Sequence, residues 1–172
     1  MSEQAARASG AELMALYHAA VGDVYGYLVT RCGQRSIAED LTADTFLAAA
    51  DAVRRDRVIS MTVPWLIGVA RHKLVDHWRR QAREERSLRA VGDDVPPEDP
   101  WDAHLDAVRA RETLGELAPQ HRAALTLRYL DDLSVPEVAD HLQRSVHATE
   151  ALLVRARTAF RRAYTSEEGD DA

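Results

Sequence analysis

The chain has 172 residues, 46% hydrophobic and 29% charged, with 8 glycines and 6 prolines, which suits a globular protein of one ordinary or two small domains. This composition excludes collagen-like, silk-like and wholly disordered chains. No apolar run approaches the roughly 18 residues of a membrane-spanning helix, and the N-terminus lacks the basic start and apolar centre of a signal peptide. We therefore expect a cytoplasmic protein without membrane insertion. The single cysteine, Cys32, excludes an internal disulfide and suits a reducing compartment.

The net charge of −6 conceals a strongly uneven distribution. Residues 64–90 carry seven basic and three acidic side chains, and residues 145–165 carry four basic and one acidic. Between them, residues 91–118 carry eight acidic and two basic side chains, and the tail from 166 to 172 adds four acidic ones. Because binding to phosphate needs local positive charge, the two basic segments are candidates for nucleic-acid binding despite the negative total.

Hydrophobic residues at steps of three and four predict a first helix over residues 11–31, which ends before Gly33. A second helix is predicted over residues 36–53. At its start, the Ser36 hydroxyl and the Glu39 carboxylate have the spacing of a capping box.

Residues 54–63 have no helical period and predict a loop, after which Pro64 starts a third helix. Four of its residues are expected to face inward: Trp65, Val69, Leu74 and Trp78. Tryptophans beside arginines can stack on unpaired bases, but at helical spacing they more often belong to the core, an interpretation that we favour for Trp78. For Trp65 both interpretations stay open.

Residues 91–103 contain clustered prolines and acids with little apolar content, and they predict a flexible, solvated linker. After the linker, one helix is predicted around Val108 and another from Pro119, followed by a turn at Asp131 and Asp132. The sequence thus predicts an all-α fold of two small helical domains, residues 11–90 and 104–164, joined by the acidic linker and followed by an acidic tail over residues 165–172.

The second domain contains a helix-turn-helix pattern. Ser134 and Glu137 form a second potential capping box, a short helix follows, residues 143–145 make a turn, and a long helix runs from Val146 to about Tyr164. An ordinary helical hairpin is the alternative, and Gln143 stands where a left-handed turn favours glycine. The arginines of the long helix are suited either to phosphate binding or to a solvated face: Arg155, Arg157, Arg161 and Arg162.

Acidic residues in the second predicted helix raise the possibility of carboxylate catalysis or a metal site: Glu39, Asp40, Asp44 and Asp51. An acidic surface is the simpler interpretation, because the seven histidines lack the spacing of zinc ligands. The sequence also lacks a Walker loop, a Gly-x-Gly-x-x-Gly motif and a Gly-x-Ser-x-Gly motif. We therefore expect no cofactor, no metal and no enzymatic activity.

The order of these segments resembles a known family. Residues 40–47 (DLTADTFL), 64–71 (PWLIGVAR) and 76–80 (DHWRR) closely resemble region 2 of bacterial sigma factors of the extracytoplasmic-function (ECF) group, within the sigma-70 family. Residues 133–162 resemble region 4 of the same group. The resemblance extends from about residue 11 to residue 164, in the same order and with the short linker typical of this group.

The resemblance implies a transcription initiation factor that binds core RNA polymerase, directs it to promoter DNA with −10 and −35 elements and helps to open the duplex. An anti-sigma factor is the inhibitory partner that the family implies. The polymerase-binding residues by analogy are Asp40, Leu41, Asp44, Thr45 and Phe46. The −10 element is assigned to Arg57, Ser60, Trp65, Arg71, His72, Arg79 and Arg80. The −35 element is assigned to Arg144, Ser145, His147, Glu150, Ala151, Val154, Arg155 and Arg157.

Two other functions remain as alternatives. One is a stand-alone helix-turn-helix repressor whose first three helices dimerise or sense a ligand. The other is an all-helical carboxylate enzyme, which the motifs support least. Core polymerase distinguishes the first two, because a repressor binds a palindromic duplex unaided whereas a sigma factor needs polymerase and an asymmetric two-part site.

Overall fold

The computed structural model describes residues 2–55, 62–88 and 106–166. Within these ranges the chain forms seven α-helices and one π-helical segment without any strand, so the all-α prediction is confirmed. The chain divides into two compact units, Met1–Leu74 and Val75–Ala172. The predicted linker, most of the tail, and the site residues Arg57 and Ser60 lie outside the described ranges.

The first unit begins with two helices, α1 (Ser2–Cys32) and α2 (Arg35–Arg54), which pack against each other. Helix α1 buries one residue every four along a single stripe: Ala20, Val24, Leu28 and Cys32. The facing residues of α2 are Ala38, Leu41, Thr42, Thr45 and Ala49. The two buried threonine hydroxyls donate hydrogen bonds to carbonyls one turn earlier, at 2.6 and 2.7 Å, so their burial leaves no donor unpaired.

The connection between α1 and α2 differs from the prediction. Gly33 has a φ of +70°, a left-handed conformation that favours glycine, and the chain reverses there. Gln34 is then extended and becomes the N-cap of α2 without a side-chain hydrogen bond. The predicted capping box of Ser36 and Glu39 is therefore wrong, because the early reversal starts the helix at Arg35 and places Ser36 inside its first turn.

Helix α3 (Val63–Leu88) contributes to both units. Leu66, Ala70 and Leu74 are buried in the first unit, and Val75, Trp78 and Ala82 are buried in the second. Trp78 is 1% exposed, which confirms its assignment to the core. Two other residues expected to face inward, Trp65 and Val69, are only half-buried, because they lie away from the buried stripe.

The rest of the second unit consists of α4 (Ala107–Glu116), α5 (Pro119–Leu125), a π-helical segment (Thr126–Leu130), α6 (Val135–Leu142) and α7 (Val146–Ser166). Helix α7 packs against α4, α5 and α6, and its core side chains are Thr149, Leu152, Leu153, Ala156 and Phe160.

Side chains fix the ends of α4. The Asp106 carboxylate accepts hydrogen bonds from the amides of Val108 and Arg109 at 3.0 and 2.9 Å, which caps the helix. The Arg109 guanidinium lies 4.1 Å from the centre of the Tyr164 ring in α7. At the other end, Arg122 donates to the carbonyls of Leu114, Gly115 and Leu117. These contacts satisfy backbone groups that a short helix leaves unpaired.

The helix-turn-helix is formed as the sequence predicts. Glu137 accepts a hydrogen bond from the Ser134 amide at 2.8 Å, and the capping box at the start of α6 is complete. Gln143 takes the left-handed conformation with a φ of 53° despite being a non-glycine residue. The Ser145 hydroxyl then accepts from the Ala148 amide at 3.2 Å and caps α7. No helix within the described ranges has the length and apolar character needed to cross a membrane.

Candidate functional site

Neighbouring residues in the acidic segment of α2 differ in their exposure to solvent. Asp40 and Asp44 are exposed, whereas Leu41 is 6% exposed and Thr45 is fully buried. Leu41 and Thr45 therefore support the helix from the core of the first unit rather than face a partner. Within the assigned polymerase-binding set, the two aspartates and the half-buried Phe46 are the side chains that solvent reaches.

An apolar surface lies beside this acidic segment. The rings of Tyr17 in α1 and Phe46 in α2 meet edge to face, with their centres 4.8 Å apart. Leu47 is 68% exposed and Tyr17 is 39% exposed, and Met14, one turn before Tyr17, is 55% exposed. We call Met14, Tyr17, Phe46 and Leu47 the apolar patch of the first unit. Sequence reasoning missed Met14 and Leu47, although Leu47 directly follows the motif that carries the resemblance.

One face of α3 carries the residues assigned to the −10 element. Trp65, His72 and Arg79 are seven residues apart, so they lie on the same side of the helix, away from the buried stripe. The His72 Nδ1 atom lies 3.0 Å from the Gly68 carbonyl oxygen. Arg80 is exposed near this face, whereas Arg71 is half-buried and lies toward the buried side.

Arg79 belongs to the second unit and is held by two neighbours. Its guanidinium lies 3.1 Å from the Asp76 carboxylate and also donates to the Gln143 side-chain oxygen in the turn before α7. Nearby, burial lowers the pKa of His77 below its ordinary value of 6.5, helped by the positive charges of Arg80 and Arg122 and opposed by Glu84. The neutral imidazole is therefore the favoured form of His77.

The residues assigned to the −35 element lie along α7 and the turn before it. His147 and Glu150 are exposed on the first turns, with the His147 Nδ1 atom 4.0 Å from a Glu150 carboxylate oxygen. The other side chains are half-buried: Arg144, Ala151, Val154, Arg155 and Arg157. Ser145 is exposed, and its hydroxyl caps the helix.

The basic half of α7 contacts the π-helical segment Thr126–Leu130. The Arg157 guanidinium donates to the Tyr129 hydroxyl at 3.4 Å, and the Tyr129 ring is 44% exposed at the end of the π-helical segment. Sequence reasoning did not single out Tyr129. Within residues 2–55, 62–88 and 106–166, no group of three or more His, Cys, Asp and Glu side chains is placed to hold a metal ion.

Comparisons with known proteins assign the chain to a family. A family model described as Sigma-70 region 2 matches residues 16–84, and one described as Sigma-70, region 4 matches residues 107–160. The ECF RNA polymerase sigma factor SigC of Mycobacterium tuberculosis is 30% identical over 160 residues, covering 91% of this chain and 85% of that protein. This chain belongs to the ECF group of the sigma-70 family.

Other sigma factors are similar to this chain as well. The ECF RNA polymerase sigma factor SigM of Bacillus subtilis is 28% identical over 164 residues, covering 91% of this chain and 97% of that protein. BldN of Streptomyces coelicolor is 31% identical over 170 residues, and the chain spans 62% of its length. The sigma factor RpoE of Bartonella quintana, solved with the anti-sigma factor NepR, has the same fold, with a TM-score of 0.53, 19% identity, and coverage of 87% of this chain and 94% of that one.

Proposed function

We propose that this sigma factor binds core RNA polymerase, directs it to promoters with a −10 and a −35 element, and assists opening of the duplex without catalysis of its own. The observation that carries the proposal is the order of the matched segments, with region 2 over residues 16–84 and region 4 over residues 107–160. A factor of this kind acts in the cytoplasm, where polymerase and promoter DNA are.

Polymerase binding is assigned to the surface of α2 and the apolar patch. Asp40 and Asp44 supply two exposed negative charges, and Tyr17, Phe46 and Leu47 supply an adjacent apolar area. An apolar centre with a charged rim is the usual anatomy of a protein interface. The buried Leu41 and Thr45 keep the two carboxylates on the outer side of the helix.

Recognition of the −10 element is assigned to the outer face of α3. Trp65 is half-buried, and His72 and Arg79 follow along the same face. An aromatic ring beside cationic and hydrogen-bonding groups suits a single strand with an unpaired base, because bases stack on aromatic faces while arginines contact phosphates. Trp78 is excluded from stacking by its burial.

Recognition of the −35 element is assigned to α7. The first turns of a recognition helix contact base edges in the major groove, and His147 and Glu150 are the exposed polar side chains there. The arginines further along α7 provide the positive charge that phosphate binding requires. An anti-sigma factor is the proposed inhibitor, and the similarly folded RpoE of Bartonella quintana was solved with such a protein.

Transcription in vitro tests the proposal. The purified chain is added to core polymerase with fragments of genomic DNA, and the transcripts are mapped. We expect initiation from a set of sites that share two elements about two helical turns apart, at roughly 34–36 Å per turn. Core enzyme alone is the control. Binding of the free chain to a palindromic duplex without any stimulation of core enzyme is the result that would overturn the proposal in favour of a stand-alone repressor.

A further inference from the structure

The second unit contains a cavity of about 340 Å³, and most of the residues that line it are assigned neither to polymerase nor to DNA. Its walls come from the last part of α3, from α5 and α6, and from the start of α7. This volume falls within the roughly 300–1,000 Å³ range of small-molecule sites. The cavity therefore has room for a compact ligand.

The charged side chains that line this cavity are all positive. Four arginines line it, Arg79, Arg83, Arg86 and Arg144, and no carboxylate is found among the described residues that line it. Asp76 compensates part of the charge of Arg79, from which it lies 3.1 Å away. Residues 83–86 of α3 are all exposed, and of these the two arginines line the cavity whereas Glu84 and Glu85 do not.

Some hydrogen-bond donors of this cavity already have acceptors: Arg79 donates to Asp76 and Gln143, and Arg86 Nε donates to the Ala82 carbonyl at 3.0 Å. Each guanidinium has five N–H donors and no acceptor. Trp78 forms part of the wall, and its buried indole Nε1 atom has no hydrogen-bond partner among the described residues. A buried donor is normally paired, so the wall offers no acceptor to this indole nitrogen. Phosphate oxygens supply both acceptors and negative charge, and arginine binds them with paired hydrogen bonds.

We propose that this cavity binds a small molecule that carries a diphosphate group. A diphosphate spreads its charge over two neighbouring phosphates and can contact more than one arginine of the lining, whereas a single small anion is taken up by the fork of one arginine. Arg79 and Arg144 are also assigned to promoter contacts above, so a bound ligand withdraws both from DNA. This consequence rests on the proposed function, whereas the binding itself does not.

Direct binding is the first test, with inorganic pyrophosphate and adenosine diphosphate as probes. Titration calorimetry on the full chain at constant ionic strength should give saturable binding of one molecule per chain. If adenosine diphosphate alone binds, the ligand is a nucleotide, and if both bind equally the diphosphate suffices; either result supports the proposal. Absence of saturable binding by both probes overturns it.

Substitution of the two arginines without an assigned DNA contact locates the ligand. Arg83→Gln with Arg86→Gln should weaken binding by at least about tenfold, since two charge-assisted hydrogen-bonding groups are lost. Arg111→Gln is the matched control, because Arg111 is exposed on α4 and does not line the cavity. Equal weakening in both variants would show nonspecific attraction of anions and overturn the proposal. Thermal unfolding of each variant without ligand separates loss of binding from loss of fold.

A transcription assay separates the two proposals. Adenosine diphosphate should reduce initiation by core polymerase with the unaltered chain more than with the Arg83→Gln, Arg86→Gln variant, which controls for direct effects on polymerase. Equal reduction overturns the link between the cavity and promoter binding. If the chain binds the probe but never stimulates core polymerase, the proposed function fails and the ligand site stands. If it stimulates polymerase but binds neither probe, the ligand site fails alone.

Discussion

Glu150 and Arg155 of α7 are expected to have different roles at the −35 element. They are five positions apart in the chain, so they lie about 140° apart around the helix and about 7.5 Å apart along it. The buried residues of α7 lie on one side of the helix. Glu150 and Arg155 lie on the other side, to the left and right of the direction that points straight away from the core. Glu150 is on the second turn, with 59% of its side chain exposed, whereas Arg155 is half-buried on the third turn.

This geometry sets the expected magnitudes. The N-terminal turns of a recognition helix contact bases, and a carboxylate accepts hydrogen bonds from a donor such as cytosine N4. Replacing Glu150 with alanine should therefore relax preference at one base position by about 1–3 kcal/mol, or roughly 5- to 150-fold in relative affinity. Replacing Arg155 with alanine should weaken all promoters alike and lower the salt slope by about one, as loss of one phosphate contact predicts.

The assay is equilibrium binding of the reconstituted holoenzyme to promoters with each −35 base replaced, repeated over a series of salt concentrations. Glu150→Gln is a matched control that keeps one acceptor oxygen and removes the charge, and it should retain part of the base preference. Uniform weakening by Glu150→Ala together with altered base preference by Arg155→Ala would refute the reasoning and show that α7 is rotated in the groove.

Three further predictions concern the surfaces and stability of the chain. Reversing both charges with Asp40→Lys and Asp44→Lys should weaken binding to core polymerase by at least about tenfold and change the unfolding free energy by no more than about 0.5 kcal/mol. Asp23→Lys, at an exposed position of α1, is the control. Unchanged polymerase affinity in the double variant contradicts the assignment. Gln143→Gly should raise the unfolding free energy in urea by about 1 kcal/mol, because glycine adopts the left-handed conformation at lower cost, whereas Gln143→Ala should not. Because burial lowers the pKa of His77, this side chain takes up a proton more readily in the unfolded chain, and the unfolding free energy should fall as the pH drops below about 6.5. His77→Gln should reduce this pH dependence. An unchanged pH profile in the variant contradicts the prediction.

The sequence alone determined the features that depend on residues within about one helical turn of each other. The capping box of Ser134 and Glu137, the start of α7 after Ser145 and the end of α1 before Gly33 all rest on local hydrogen bonds or backbone freedom. Helical spacing also placed Trp78 in the core. The same local signal failed at Ser36, where the conformation of the preceding turn decided which residue capped α2.

Only the tertiary structure decided which side chains remain accessible and which come together across elements. The exposure of Met14 and Leu47 depends on where α1 and α2 cover each other, and Leu41 and Thr45 are withdrawn from the surface by the same packing. The arginine-lined cavity brings Arg83 of α3 and Arg144 of the helix-turn-helix to one wall from positions far apart in the chain. The spacing of residues along one helix fixes the direction of each side chain but not the helix that it meets, because that depends on packing between elements distant in sequence.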